Sequence, residues 1–239
     1  MPALISAELL RLRTLRSPRY AALGLLAFVA ITAALNLRAS SETPMSPAEL
    51  ADALRSIALM GVVAVGALAA NNLGAEFKSG SIAMTYLSHP QRERVNAARA
   101  LTYAGLGFVF GGLAAGVVLA VGAPVADAGS LELSLSATDV LRMIGGAAAG
   151  GAFAGAVGAL LGMATRSPVV ASSAFFGWYV VEFLVIPAGI RPHMPFTLVV
   201  SLMGGPDTVP VAAAIGLLLA YLAAFALIVR RYALPRDVT

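Results

Sequence analysis

Apolar residues fill six stretches of the chain, at positions 20–37, 56–75, 102–125, 143–164, 169–190 and 209–229. Each is near the roughly 20 residues a helix needs to cross a hydrocarbon core of about 30 Å. In lipid the backbone has no water to bond to, so a spanning segment must satisfy its own N–H and C=O groups, and helices do so. The pattern predicts an all-α membrane protein with six transmembrane helices, in one domain over 1–239.

The polar segments between these stretches are short and unequal in charge. With both termini on the cytoplasmic side, the inner segments hold Arg11, Arg13, Arg16, Arg19, Lys78, Arg92, Arg94, Arg99, Arg166, Arg230, Arg231 and Arg236, which makes 12. The outer ones hold Arg38, Arg55, Arg142 and Arg191, which makes 4. That split follows the positive-inside rule and predicts a multi-pass protein of the inner, cytoplasmic membrane. The first stretch is longer than a signal-peptide core and five others follow, so it reads as a retained helix.

Composition agrees: 59% of residues are hydrophobic, 12% are charged, and mean hydropathy is +0.86. A soluble domain carries about twice that charge. The net charge of +4 is accounted for by anchoring at an anionic inner leaflet, so membrane lipid is an expected partner and nucleic acid is not. There is no cysteine, which excludes disulfides and thiol chemistry. Fifteen of the 16 basic residues are Arg, the usage of a GC-rich bacterial gene.

Two outer segments carry detail. Ser46-Pro47-Ala48-Glu49 is a capping-box pattern that predicts a helix running into the second stretch. In 190–208, Pro192, Pro195 and Pro206 bracket the apolar run 196–203, which is too short to span. Either a re-entrant segment or a packed loop fits it. Glycines four apart (Gly107/Gly111, Gly112/Gly116, Gly146/Gly150, Gly151/Gly155 and Gly158/Gly162) let helix backbones approach closely. They serve either the packing of the third stretch on the fourth or a contact between subunits.

The inner loop at 76–99 is the most patterned. Gly80 permits a sharp turn, and a short helix at about 81–87 should follow. Ile82, Met84, Tyr86 and Leu87 would give that helix an exposed apolar surface in need of a partner. Ser88 with Gln91 reads as a second capping box, with Pro90 in the first turn, so a new helix should start near His89. Glu76 is expected to pair with Lys78 or a nearby Arg as an interfacial charge.

Catalytic patterns are missing from the sequence. It has no His-Glu-x-x-His and no Gly-x-Ser-x-Gly, and the expected topology puts His89 and His193 on opposite sides of the membrane. No metal site or triad is expected, and the chain does not read as an enzyme. A Gly-x-x-x-x-Gly-Lys-Ser/Thr run is also missing, so the chain has no triphosphate cradle of its own. Glu182 is the lone acid deep in a stretch, and such groups face a cavity or a partner. Trp178 and Tyr179 beside it, with Asn71 and Asn72 as candidate polar neighbours, outline a substrate pathway; a structural carboxyl and a proton-coupling group are the alternatives.

The loop at 76–99 resembles that of the ABC-2-type permeases, the membrane subunits of ABC exporters. Their loop reads roughly Glu-x-[Arg/Lys]-x-Gly-[Thr/Ser]-Ile, then a Leu, then Pro-x-x-Arg and a Lys or Arg. This chain has Glu76, Lys78, Gly80, Ser81, Ile82, Leu87, Pro90, Arg92 or Arg94, and Arg99 at those places. Ser81 stands where Thr is usual and Arg99 where Lys is common. A basic, amphipathic segment at 1–19 is also similar to the family.

The resemblance implies an ABC-2, type V exporter-like fold and a short coupling helix that docks on a separate ATPase subunit, which binds ATP and Mg. It also implies a second permease copy or paralogue and outward transport between the two halves. An amphipathic or hydrophobic compound would suit an apolar path. The chain itself would carry no cofactor. A small secondary transporter and a non-transporting assembly or regulatory subunit are the other readings.

Overall fold

The computed structural model describes residues 6, 10, 16–40, 46–88, 91–128, 135–206 and 209–233. Among them every regular element is a helix and no strand occurs. In chain order they are α1 (Arg16–Ser40), α2 (Pro47–Lys78), α3 (Ser81–Ser88), α4 (Arg92–Ala128), α5 (Ala137–Thr165), α6 (Pro168–Leu184), a 3-10 turn (Arg191–His193), α7 (Pro195–Leu202) and α8 (Val211–Ile228). A π-helical turn, Val229–Ala233, extends α8.

Among the described residues, four segments are long and apolar enough to cross a membrane: Pro47–Lys78, Arg92–Pro124, Ala137–Thr165 and Val211–Arg231. Two shorter apolar helical segments, Leu23–Ala39 and Pro168–Leu184, accompany them. At 1.5 Å per residue the 32 residues of α2 extend about 48 Å, past both faces of a hydrocarbon core.

Helix starts follow side-chain chemistry. The Ser46–Glu49 capping box forms as the sequence predicts: Ser46 N–H donates to Glu49 Oε2 at 2.7 Å, and Glu49 N–H to Ser46 Oγ at 3.3 Å. A second box, not anticipated above, starts α5, where Ser136 and Asp139 exchange the same bonds. The expected box at Ser88 does not start α4. Ser88 closes α3, and the Gln91 carbonyl accepts the first α4 bonds from Arg94 and Val95, so the helix begins at Arg92. His89 and Pro90 lie outside the described residues.

The fifth stretch falls short of its expected end at 190. α6 stops at Leu184, because Pro187 has no N–H to continue the ladder and disfavours helical backbone at Ile186 before it. The Pro187 carbonyl then accepts from Ile190 and Arg191, making a turn.

Glycine sets the helix spacing. A Cβ on Gly107 would run into the Gly151 carbonyl oxygen, and one on Gly151 into that of Gly107. Gly111 meets Ala147 and Gly155 meets Tyr103 in the same way, so α4 and α5 touch backbone to backbone. Gly158 approaches Gly66 and Gly162 approaches Ala70, which brings α2 to the other side of α5. These glycines therefore pack helices of one chain against each other.

α5 is the centre of the bundle, with 72% of its apolar window buried, whereas α8 has 11%. On α8 the exposed residues Val211, Ile215, Leu219, Leu227 and Ile228 are all apolar, as are Leu23, Phe28, Ile31 and Leu35 on α1. Apolar surface of that extent needs lipid or protein against it.

Candidate functional site

Two polar constellations stand out, one at each end of the bundle. At the end where α2 leads into α4, α2 closes on Lys78. The Ser79 N–H donates to the Ala75 carbonyl and the Gly80 N–H to that of Phe77, and Gly80 takes φ +71°, a left-handed turn that side chains resist. The Ser79 and Ser81 hydroxyls both donate to the Glu76 carbonyl and tighten the corner.

α3 then reaches α4 through side chains, with its two faces divided. Ile82 is wholly buried, and Tyr86 donates its hydroxyl to Asn96 Oδ1 at 2.9 Å. Burial pushes the Tyr86 phenol up from its ordinary value, which keeps it a proton donor. On the opposite face Met84 and Leu87 are 71% and 80% exposed. The expected apolar surface is therefore smaller than the sequence suggested. At i, i+3 spacing Met84 and Leu87 share the outer face, while Ile82, whose position puts it with Thr85 and Tyr86, belongs to the core.

Of the two partners expected for Glu76, Lys78 or a nearby Arg, the structure takes the second: it pairs with Arg99 of α4, Oε2 to Nη1 at 2.7 Å, and both side chains are buried rather than interfacial. Arg99 Nη2 further reaches Thr85 Oγ1 of α3 at 3.4 Å. The acid that opens the patterned loop and the base that closes it thus hold each other. Lys78, Gly80, Ser81, Arg92 and Arg94 are exposed around this pair, with Arg92 over the Tyr86 ring. Pro90 lies outside the described residues. Thr85 and Asn96 were not singled out in the sequence. Arg99 was, but not as the partner of Glu76; its place at helical spacing from buried Val95 and Thr102 is the signal.

At the other end α7 is an eight-residue helix set inside the bundle. A Cβ on Gly150 of α5 would meet Val199, and one on Gly146 would meet Leu202, so α7 runs antiparallel to α5 with its N-terminus deeper. Both oxygens of Glu182 serve that N-terminus. Thr197 N–H and hydroxyl donate to Oε1 at 2.6 and 2.9 Å, and Phe196 N–H donates to Oε2 at 3.2 Å. Pro195 at N1 brings no N–H, so the wholly buried carboxylate caps the two that follow.

The opposite end of α7 meets Arg55, whose Nε–H donates to the Met203 carbonyl at 3.3 Å while Nη1 holds Asp52 at 2.6 Å. An acid at the N-terminus and a base at the C-terminus both complement the helix dipole.

Trp178 and Tyr179 pack on this helix. Phe196 sits edge-on to Phe175, Trp178 and Tyr179 at 5.6–5.7 Å, and Trp178 stacks on Phe225 at 5.3 Å. Glu182 lies two residues from the end of α6 rather than mid-span. Asn71 and Asn72 are near the other end: Gly74 of α2 abuts Pro168, which opens α6 about 21 Å from Glu182. They take no part in its hydrogen bonds. At the α7 end a cavity of about 450 Å³ opens between the 3-10 turn and α8, lined by Pro192, His193, Pro206, Val209, Pro210, Ala213 and Leu217. No group of three His, Asp or Glu residues that could hold a metal occurs among the described residues.

No family model, curated protein or solved structure matches this chain.

Proposed function

We propose that the chain is the permease subunit of an ABC-2-type exporter, with six crossings and cytoplasmic termini, paired with a second permease and driven by two separate ATPase subunits. The observation that carries the reading is α3: a short helix braced from beneath by Ile82, Tyr86 and the Glu76–Arg99 pair, presenting Met84 and Leu87 outward on a loop rich in Arg. Rigid support under an exposed apolar edge suits a docking element better than a plain connection. α1 and α6 supply the two further crossings, and α7 completes the fifth as a re-entrant piece whose backbone is shielded by protein.

The hydrogen bonds of Glu182 favour ATP-driven transport over a secondary transporter, because its carboxylate is committed to α7. The substrate class that fits the apolar interior is an amphipathic or hydrophobic compound.

The test is a photo-crosslinking residue at Leu87 in native membranes. Capture of an ATPase bearing a Walker A sequence, lost in Leu87→Asp together with ATP-dependent export, is the expected result. Crosslinks to lipid alone, or normal export by Leu87→Asp, would refute the reading. Ile82→Asp is the wrong variant for this purpose, since Ile82 is core and its loss disturbs folding.

A further inference from the structure

Arg99 and Glu76 are 2% and 9% exposed, and Arg99 heads the fully buried side chains by volume. Withdrawing two charges from water costs several kcal/mol per ion, and an apolar pair of similar volume is often at least as stable. Stability alone is thus a poor reason for this pair. Its position offers a better one.

Glu76 is in the last turn of α2 and Arg99 in the second turn of α4, and the same guanidinium reaches Thr85 in α3. Asn96, three residues before Arg99 on the same α4 face, takes the Tyr86 hydroxyl. Ile82, Thr85 and Tyr86 stand at i, i+3, i+4, so one face of α3 is tied to α4 while Met84 and Leu87 point away.

We infer that Arg99 is a positioning residue. Its planar fork, shared between Glu76 and Thr85, sets the angle of α3 on α4 and makes the two move as one body. A push on the Met84–Leu87 edge then passes into α4 through Arg99 and not into the open turn at Gly80. What pushes on that edge rests on the permease reading; the position of α3 does not.

The chain lacks cysteine, so spin labels can be placed at will. One pair goes on Leu87→Cys and Leu101→Cys, reporting α3 against α4. A reference pair goes on Leu101→Cys and Val169→Cys, reporting α4 against α6; all three sites are exposed. The parent should give one narrow Leu87–Leu101 distance.

The double variant Glu76→Leu/Arg99→Met should keep the reference distance and lose the narrow one. Arg99→Lys, which keeps the charge but not the fork, should broaden it too, and Thr85→Val should broaden it less. Those two single variants decide the matter if the double variant does not fold. A parent-like Leu87–Leu101 distance in the double variant, or in Arg99→Lys if only that folds, would overturn the inference. Broadening in the variants, with no ATPase captured by the parent, would sink the permease reading and leave the positioning role intact.

Discussion

Glu182→Leu is the perturbation that most directly tests the α7 end of the bundle. The leucine removes the carboxylate that accepts from the Phe196 and Thr197 N–H groups, in a place where Glu182 has no solvent exposure. Each buried donor left unpaired costs about 1–3 kcal/mol, so the pair gives about 2–6 kcal/mol. Loss of a negative charge at the N-terminus of α7 adds up to about 2 kcal/mol.

Glu182→Gln should cost less. Its carbonyl can replace Oε1, which takes the Thr197 N–H and hydroxyl at 2.6 and 2.9 Å. Its NH2 then faces the Phe196 N–H, donor against donor, at a cost of about 1–3 kcal/mol. Thr197→Val keeps both backbone bonds and loses one hydroxyl, about 1 kcal/mol.

The assay is built in. Trp178 is the single tryptophan, and it packs against Phe196 of α7 and Phe225 of α8. Its emission in lipid nanodiscs should report α7 leaving its seat before the bundle melts, with unfolding midpoints falling in the order Thr197→Val, Gln, Leu. A leucine variant with the parent's midpoint and the parent's Trp178 emission would refute the capping argument. Parent-like stability in Gln with selective loss of cationic substrates would instead return Glu182 to the transport path.

Three further outcomes are expected. Cysteine at Ser46 or Ser130 should react with an impermeant thiol reagent in intact cells, and cysteine at Ser79 or Thr239 should not; labelling at Ser79 from outside would reverse the topology. Gly151→Val should break the contact of α5 with α4, since even its Cβ would strike the Gly107 carbonyl, with a loss of at least the roughly 1–3 kcal/mol typical of overpacking, read as a lower unfolding midpoint. Tyr86 has a folded pKa above the ordinary phenol value of 10.0, so its contribution is complete below that pH and is lost as pH rises through the raised value; Tyr86→Phe should flatten that alkaline fall in stability.

The apolar stretches, the small residues in steps of four, the Ser46–Glu49 box and the turn at Gly80 are all legible in the sequence. Each depends on residues within a turn or two of each other, or on a composition that only lipid tolerates. The third dimension decided the partners. Glu76 and Arg99 are 23 positions apart, and an acid near three or four bases gives no local reason to choose one. Only the crossing of α2, α3 and α4 makes that choice, and it also turns Ile82 inward while leaving Leu87 out. Glu182 is the sharpest case. Read along the chain it is a costly charge in an apolar run and invites a substrate. In the folded molecule its charge is met by α7, a helix 14 residues away that needs an acceptor because the start of the ladder leaves the Phe196 and Thr197 N–H groups without a helical partner. Hydrophobic pattern is local and survives in one dimension, whereas the satisfaction of a buried charge depends on whichever backbone the fold brings beside it.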